Sequence, residues 1–255
     1  MTGAQPTRWR LLLGAAVLVA ALGVGGVVTW NTLLKPSAPR FLTSDEAELV
    51  AVSRFANFSE GAREFQFEVS LESRKIAGSG VFDYVSGAGI ARLEAEGEAP
   101  SVVWWDYDVL GELGLQDDDI DLAEAIDEFG ARKDWRFLAR EDAVSGPIGA
   151  VLVFVAGYGF DRPDNPKLIE QSDAVWLEAT EVGIWVQLPS ADEVRAAGSV
   201  PAQNPLLPSV RISPEGRVEE ARIGRSENSS STIRYGASST LRVPRPAPAE
   251  GGEAK

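Results

Sequence analysis

Histidine and cysteine are both absent from this chain of 255 residues. Without histidine there can be no Ser-His-Asp triad, no Cys-His pair and no imidazole metal site. Without cysteine there is no disulfide, zinc ribbon, redox pair or iron–sulfur ligand, and nothing to carry the lipid of a lipoprotein. Basic residues are few: 24 Lys and Arg stand against 38 Asp and Glu, a formal charge of −14. Such a surface repels nucleic acid, so no nucleic-acid partner is expected. A phosphate-binding glycine loop is missing as well, because Gly78 and Gly80 fall between strand-like residues and not ahead of a helix. No catalytic motif emerges and no cofactor is expected, so the chain reads as something other than an enzyme.

One stretch has no charge at all. Residues 11–34, LLLGAAVLVAALGVGGVVTWNTLL, form 24 uncharged residues, where about 20 suffice to cross a bilayer as a helix. Trp9 precedes the run and Trp30 lies near its end, 21 positions apart and so roughly 32 Å along a helix axis, a spacing that suits the two interfaces. Arg8 and Arg10 precede it and no acidic residue does, which places the N-terminus in the cytoplasm. A cleaved signal peptide is the competing assignment. The run is longer than a signal core, and the first small-residue site, Pro36-Ser37-Ala38, begins with proline and is followed by Pro39. The chain therefore divides into a cytoplasmic N-terminus (1–10), a transmembrane anchor (11–34), a spacer (35–43), an extracytoplasmic domain (44–243) and a disordered tail (244–255). The expected location is the plasma membrane, crossed once.

The domain is long enough to bury its own core. Thr43 and Glu46 suit a capping box, with Ser44 the competing cap, ahead of an amphipathic helix over 44–58 with Leu49, Val52, Phe55 and Ala56 at helical spacing. From Arg63 the period becomes two: Phe65, Phe67, Val69 and Leu71 alternate with polar residues in a strand. Strands are expected at 75–85, with Ile76, Phe82 and Tyr84 on one face, at 89–95 and, as one element, at 101–109. A helical insertion follows, capped at Asp117–Asp119, with Leu122, Ile126 and Phe129 on one face and Gly130 ending it. Residues 135–140 suit a short strand. Ser145-Gly146-Pro147 opens a second helix with an apolar interior. The uncharged span 143–160 holds four glycines and a proline, which dilute it below a second membrane crossing. After the proline-rich loop at 161–166, a hairpin is expected over 174–188 and a short helix at 191–197. Ser213-Pro214-Glu215-Gly216 reads as a type I turn between strands at 210–212 and 218–223, and two strands, 232–235 and 240–243, finish the sheet.

The sharpest site candidate is acidic. Asp117, Asp119, Asp121 and Glu128 stand at positions 1, 3, 5 and 12 of a calcium loop, but Leu122 occupies the position that needs glycine. Acids at a helix N-terminus also favour the macrodipole, so capping competes with metal binding. Asp106 and Asp108 could share a strand face for acid–base work, though nothing around them resembles a hydrolase.

The order helix, strands, helical insertion and further strands resembles the LolA/LppX-type family of bacterial envelope proteins. The resemblance is carried by GSGVFDYVSGAG (78–89), GPIGAVL (146–152), VRISPEGRVEEARI (210–223) and STIRYGASSTLRVPRP (231–246). It implies an α+β fold, a curved antiparallel half-barrel covered by helices around an apolar cavity. Carried over, Phe65, Phe67, Val69, Leu71, Phe82 and Tyr84 would face that cavity from the sheet, and Ile148, Leu152 and Val155 from a covering helix. The chain departs from the LppX-like members in having an apolar anchor where they have a lipid-bearing cysteine. The implied ligand is a lipid, lipoglycan or other amphiphile. RseB-type members of the same family imply instead a closed core and an envelope protein as partner.

Overall fold

The computed structural model describes residues 39–71, 74–107, 109–114, 122, 125–126, 136–139, 146–190, 195, 201–226 and 229–245. The apolar run at 11–34, the acidic set Asp117, Asp119, Asp121 and Glu128, and all but Arg195 of the helix expected at 191–197 lie outside those residues. Among the described residues no helix is long and apolar enough to cross a membrane.

The described residues belong to a compact unit that begins at Pro39. In chain order its elements are β1 (Arg40–Phe41), α1 (Ser44–Ser59), β2 (Ala62–Ser70), β3 (Lys75–Asp83), β4 (Ala88–Ala95), β5 (Ser101–Trp105), β6 (Val109–Gly114) and β7 (Arg136–Ala139). There follow α2 (Pro147–Gly157), α3 (Pro166–Glu170), β8 (Val175–Thr180), β9 (Gly183–Gln187), β10 (Ser209–Ile212), β11 (Val218–Ser226) and β12 (Ser229–Ser239). Twelve strands among the described residues form one antiparallel sheet, ordered β1-β8-β9-β10-β11-β12-β2-β3-β4-β5-β6-β7. β1 and β7 end the order unpaired with each other, so the sheet is open. The last strand, β12, lies between β11 and β2 near the centre of the sheet and so joins its two halves.

Side-chain parity explains the layers. Phe65, Phe67 and Val69 of β2 pair with Gly80, Gly78 and Ile76 of β3, and on the other side with Tyr235, Ile233 and Ser231 of β12. These residues share a face, because alternate strand residues do. That face carries the main core, to which α1 contributes Ala47 and Val50, and α2 contributes Val151, Leu152 and Val155. The opposite face is wet along β2 but covered further along. Val81, Ala88, Ile90, Val102 and Trp104 pack there with Ala125 and Val243.

Two glycines on the helix-covered face make room for rings. A methyl group on Gly78 would collide with the Phe67 ring, and one on Gly89 would lie 2.5 Å from the Trp105 indole. Phe65 stacks on Phe67 at 6.2 Å between centroids and meets Trp105 edge-on at 6.0 Å. Phe82 lies 5.8 Å from Trp105. The aromatic layer is thus built flat against bare backbone, as in sheets where a ring covers a strand glycine.

Most strands stand where their alternation puts them, and four elements differ. The expected strand at 101–109 is a hairpin, with Trp105 paired to Leu110 across the turn that contains Asp106, so the two halves run antiparallel. A polar turn inside an aromatic run hides the break from a propensity reading. The two strands expected at 232–235 and 240–243 are replaced by one 11-residue β12, after which the chain leaves the sheet. Val243 is then buried under the opposite face, while Pro244 and Arg245, expected in the tail, accept from Trp104 Nε1 and donate to Ser86 O. The buried face of α1 is Ala47, Val50, Ala51, Ser53 and Asn57, whereas Val52 and Phe55 are partly exposed. Small residues let the helix lie close to the sheet. Val52 instead covers Gly216 in the turn between β10 and β11. Within the expected spacer, Arg40 and Phe41 form β1, antiparallel to Trp176 and Val175.

Candidate functional site

The nine residues assigned from the resemblance come together. Phe65, Phe67, Val69, Phe82, Tyr84, Leu152 and Val155 are buried members of the main core, and Leu71 and Ile148 pack against it. They occupy one another's space. None of them lines the apolar opening beside the helices.

That opening is a cleft of about 730 Å³ on the helix-covered side, within the range of small-molecule sites. Val50 and Arg54 of α1 form one wall, and Phe154, Gly157 and Tyr158 at the end of α2 another. Leu168 and Ile169 of α3 and the segments carrying Leu188, Pro189 and Pro208 complete it. Phe154 stacks on Tyr158 at 5.2 Å, and Val50, Tyr158, Ile169 and Leu188 belong to or pack on the main core. The cleft is therefore a continuation of the core surface that the helices leave uncovered.

Local sequence fixes each wall. α1 is started by the Thr43–Glu46 capping box expected from sequence, reinforced by Arg40, which donates to Glu46 at 2.7 and 2.5 Å. α2 begins with Pro147 at its first turn, where a missing amide hydrogen costs nothing. α3 is capped by Asn165, whose side chain accepts from Lys167 N at 3.0 Å, and Ser44 joins its Glu170 at 2.9 Å. This last bond ties the start of α1 to the wall that carries Leu168, whose side chain is two-thirds exposed at the rim.

The polar groups of the cleft are neutral on balance. Arg54 meets Asp164 at 3.3 Å, donates to Gly157 O at 3.3 Å and lies 5.0 Å over the Phe160 ring. Ser190 donates to Asp173 and Ser172 to Ile169 O. Tyr158 is buried and shares a hydrogen bond of 3.0 Å with Ser53; burial pushes its phenol up to about 12, with the Ser53 bond working the other way.

Below the cleft lies a feature that was not expected from sequence. Arg63 is buried in the core with no carboxylate partner among the described residues. Its guanidinium donates to Asn57 Oδ1 at 2.6 Å, Val218 O at 3.0 Å and Gly236 O at 3.0 Å, and stands 5.1 Å over Tyr235. Asn57 in turn donates to Tyr158 O at 3.0 Å, which links the charge to the cleft wall. Tyr84 and Tyr235 are close by; burial raises both phenols while the Arg63 charge opposes the rise. The available signal was parity: Arg63 shares the face of Phe65 and Phe67, an odd place for a cation. Asn57 also belongs to a glycosylation-like Asn-Phe-Ser motif, and its burial keeps it from a glycan.

Among the described residues no three acidic side chains are grouped so as to hold a metal. Compared with protein-family models and with curated proteins, the sequence matches none.

Proposed function

We propose that this chain is a single-pass protein of a bacterial plasma membrane, its N-terminus cytoplasmic and its domain outside, that holds a lipid or other amphiphile without transforming it. The observation that carries the proposal is the apolar cleft of about 730 Å³ between α1, α2 and α3. An acyl chain placed there gains about 0.8 kcal/mol for each buried methylene. Residues 11–34 supply the tether, and the acidic body is kept off anionic headgroups. The antiparallel sheet with helices on one face supports membership of the LolA/LppX-type fold, with the sheet curved around those helices.

The test is lipid content. Full-length protein extracted into lipid nanodiscs and then released should carry one amphiphile per chain by native mass spectrometry. Replacing Ile169 by Glu, which puts a charge in the apolar wall, should remove that mass. Protein that is bare from the start contradicts the proposal. The tight packing of the nine core residues favours a second reading, a closed module of RseB type that engages an envelope protein. It predicts bare protein and a specific crosslinked membrane partner.

A further inference from the structure

An open apolar cleft is ordinarily assigned a ligand by its volume, but here the charge arrangement says more. Among the described residues Arg54 is the one cation lining it, and although its side chain is about a third exposed it is already paired with Asp164 at 3.3 Å, the Gly157 carbonyl at 3.3 Å and the Phe160 ring at 5.0 Å. A guanidinium paired this way offers less to an incoming phosphate or carboxylate, which would have to displace Asp164 or stand beside it. The serine hydroxyls at the rim donate to Asp173 and to Ile169 O. What remains free for a ligand is neutral: the amide nitrogen of Asn165, whose oxygen caps α3, and the amide of Gln171, which has no side-chain partner among the described residues.

We infer that Asp164 is a specificity-determining residue that neutralises Arg54 and makes the cleft select amphiphiles with an uncharged, hydroxyl-bearing head over those with an anionic head. The inference rests on the amphiphile-binding reading of the same cleft. The mechanism is subtractive. With Asp164 in place an anionic head meets a paired cation and an adjacent carboxylate, and like charge in a partly dry site is costly. An uncharged head meets the Asn165 amide nitrogen, which donates, and the Gln171 amide, which can both donate and accept. The tail contributes equally in both cases, so the head alone decides.

The test compares two photoreactive probes of equal chain length, a monoacylglycerol and an alkyl phosphate, each with a diazirine on the tail. Full-length protein in zwitterionic nanodiscs is irradiated with each, and crosslinked peptides are mapped by mass spectrometry. The monoacylglycerol should mark peptides 154–158, 165–171 and 188–190 at least roughly tenfold more than the alkyl phosphate, the effect of one charge-assisted contact. Asp164→Asn should free Arg54 and bring the alkyl phosphate to parity or beyond, and Asp164→Asn with Arg54→Gln should abolish that gain. Circular dichroism checks that each variant is folded. Equal marking by the two probes in the parent, or an unchanged ratio in the folded Asp164→Asn variant, overturns the inference and leaves amphiphile binding standing. Absence of cleft marking by either probe overturns both.

Discussion

Two side chains carry unusual electrostatic weight. Glu46 is half-buried beside Arg40 and at the N-terminus of α1. Burial works against its ionisation, but the Arg40 hydrogen bond, the Thr43 amide and the Arg40 charge together hold its carboxyl below the ordinary value of about 4.5. A folded value below the unfolded one means that the ionised form is preferred in the fold. The resulting stability is present above the unfolded value and is lost as pH falls through the folded one. Chemical denaturation from pH 7 to pH 3 should therefore show the parent losing more stability than Glu46→Gln, which keeps the capping hydrogen bond without the charge. Equal losses would contradict this. Arg63 is the opposite case, a buried cation whose two terminal nitrogens donate to three acceptors while its Nε has no partner among the described residues. Arg63→Met leaves Asn57 Oδ1 and the carbonyls of Val218 and Gly236 without their donor, at about 1–3 kcal/mol for each group that water cannot reach. A loss of about 3 kcal/mol or more is expected by urea denaturation. A variant as stable as the parent would show that the guanidinium contributes nothing net to the core.

At the level of the element, the rings on the sheet depend on the glycines beneath them. Gly78→Ala drives a methyl group into the Phe67 ring and should cost about 1–3 kcal/mol, the usual penalty of overpacking. Gly157→Ala at the end of α2 meets nothing within 4 Å and should stabilise by up to about 1 kcal/mol. A differential scanning measurement on the two variants separates a tight approach from ordinary helix propensity. The same elements show what the sequence made legible. β2 was readable because one face is wet, so Phe65, Phe67 and Val69 alternate cleanly with Glu64, Gln66 and Glu68. The β5–β6 break was not, because Trp104, Trp105 and Tyr107 keep strand-like composition through a turn. Nor was the buried face of α1, since a helix lying close to a sheet buries small residues such as Ala47 and Ala51, leaving the larger Phe55 at its margin. The Thr43 cap was legible because capping is local chemistry, decided within four residues.

The whole molecule joins an apolar run at its N-terminus to a domain with one face of its sheet covered by helices. The residues of the core could be read from the sequence, but the cleft could not. Its walls come from Val50, Phe154, Ile169, Leu188 and Pro208, positions far apart in the chain that share no period and meet only through the packing of α1, α2 and α3. The nine residues that the resemblance assigns to a cavity fill the sheet interior, whereas the open space lies beside it. The most direct test of the account is the mass of the full-length protein released from nanodiscs into the gas phase. One bound amphiphile in the parent and none in the folded Ile169→Glu variant is the predicted result. A bare parent chain, or a bound lipid that survives Ile169→Glu unchanged, would contradict the assignment of the cleft.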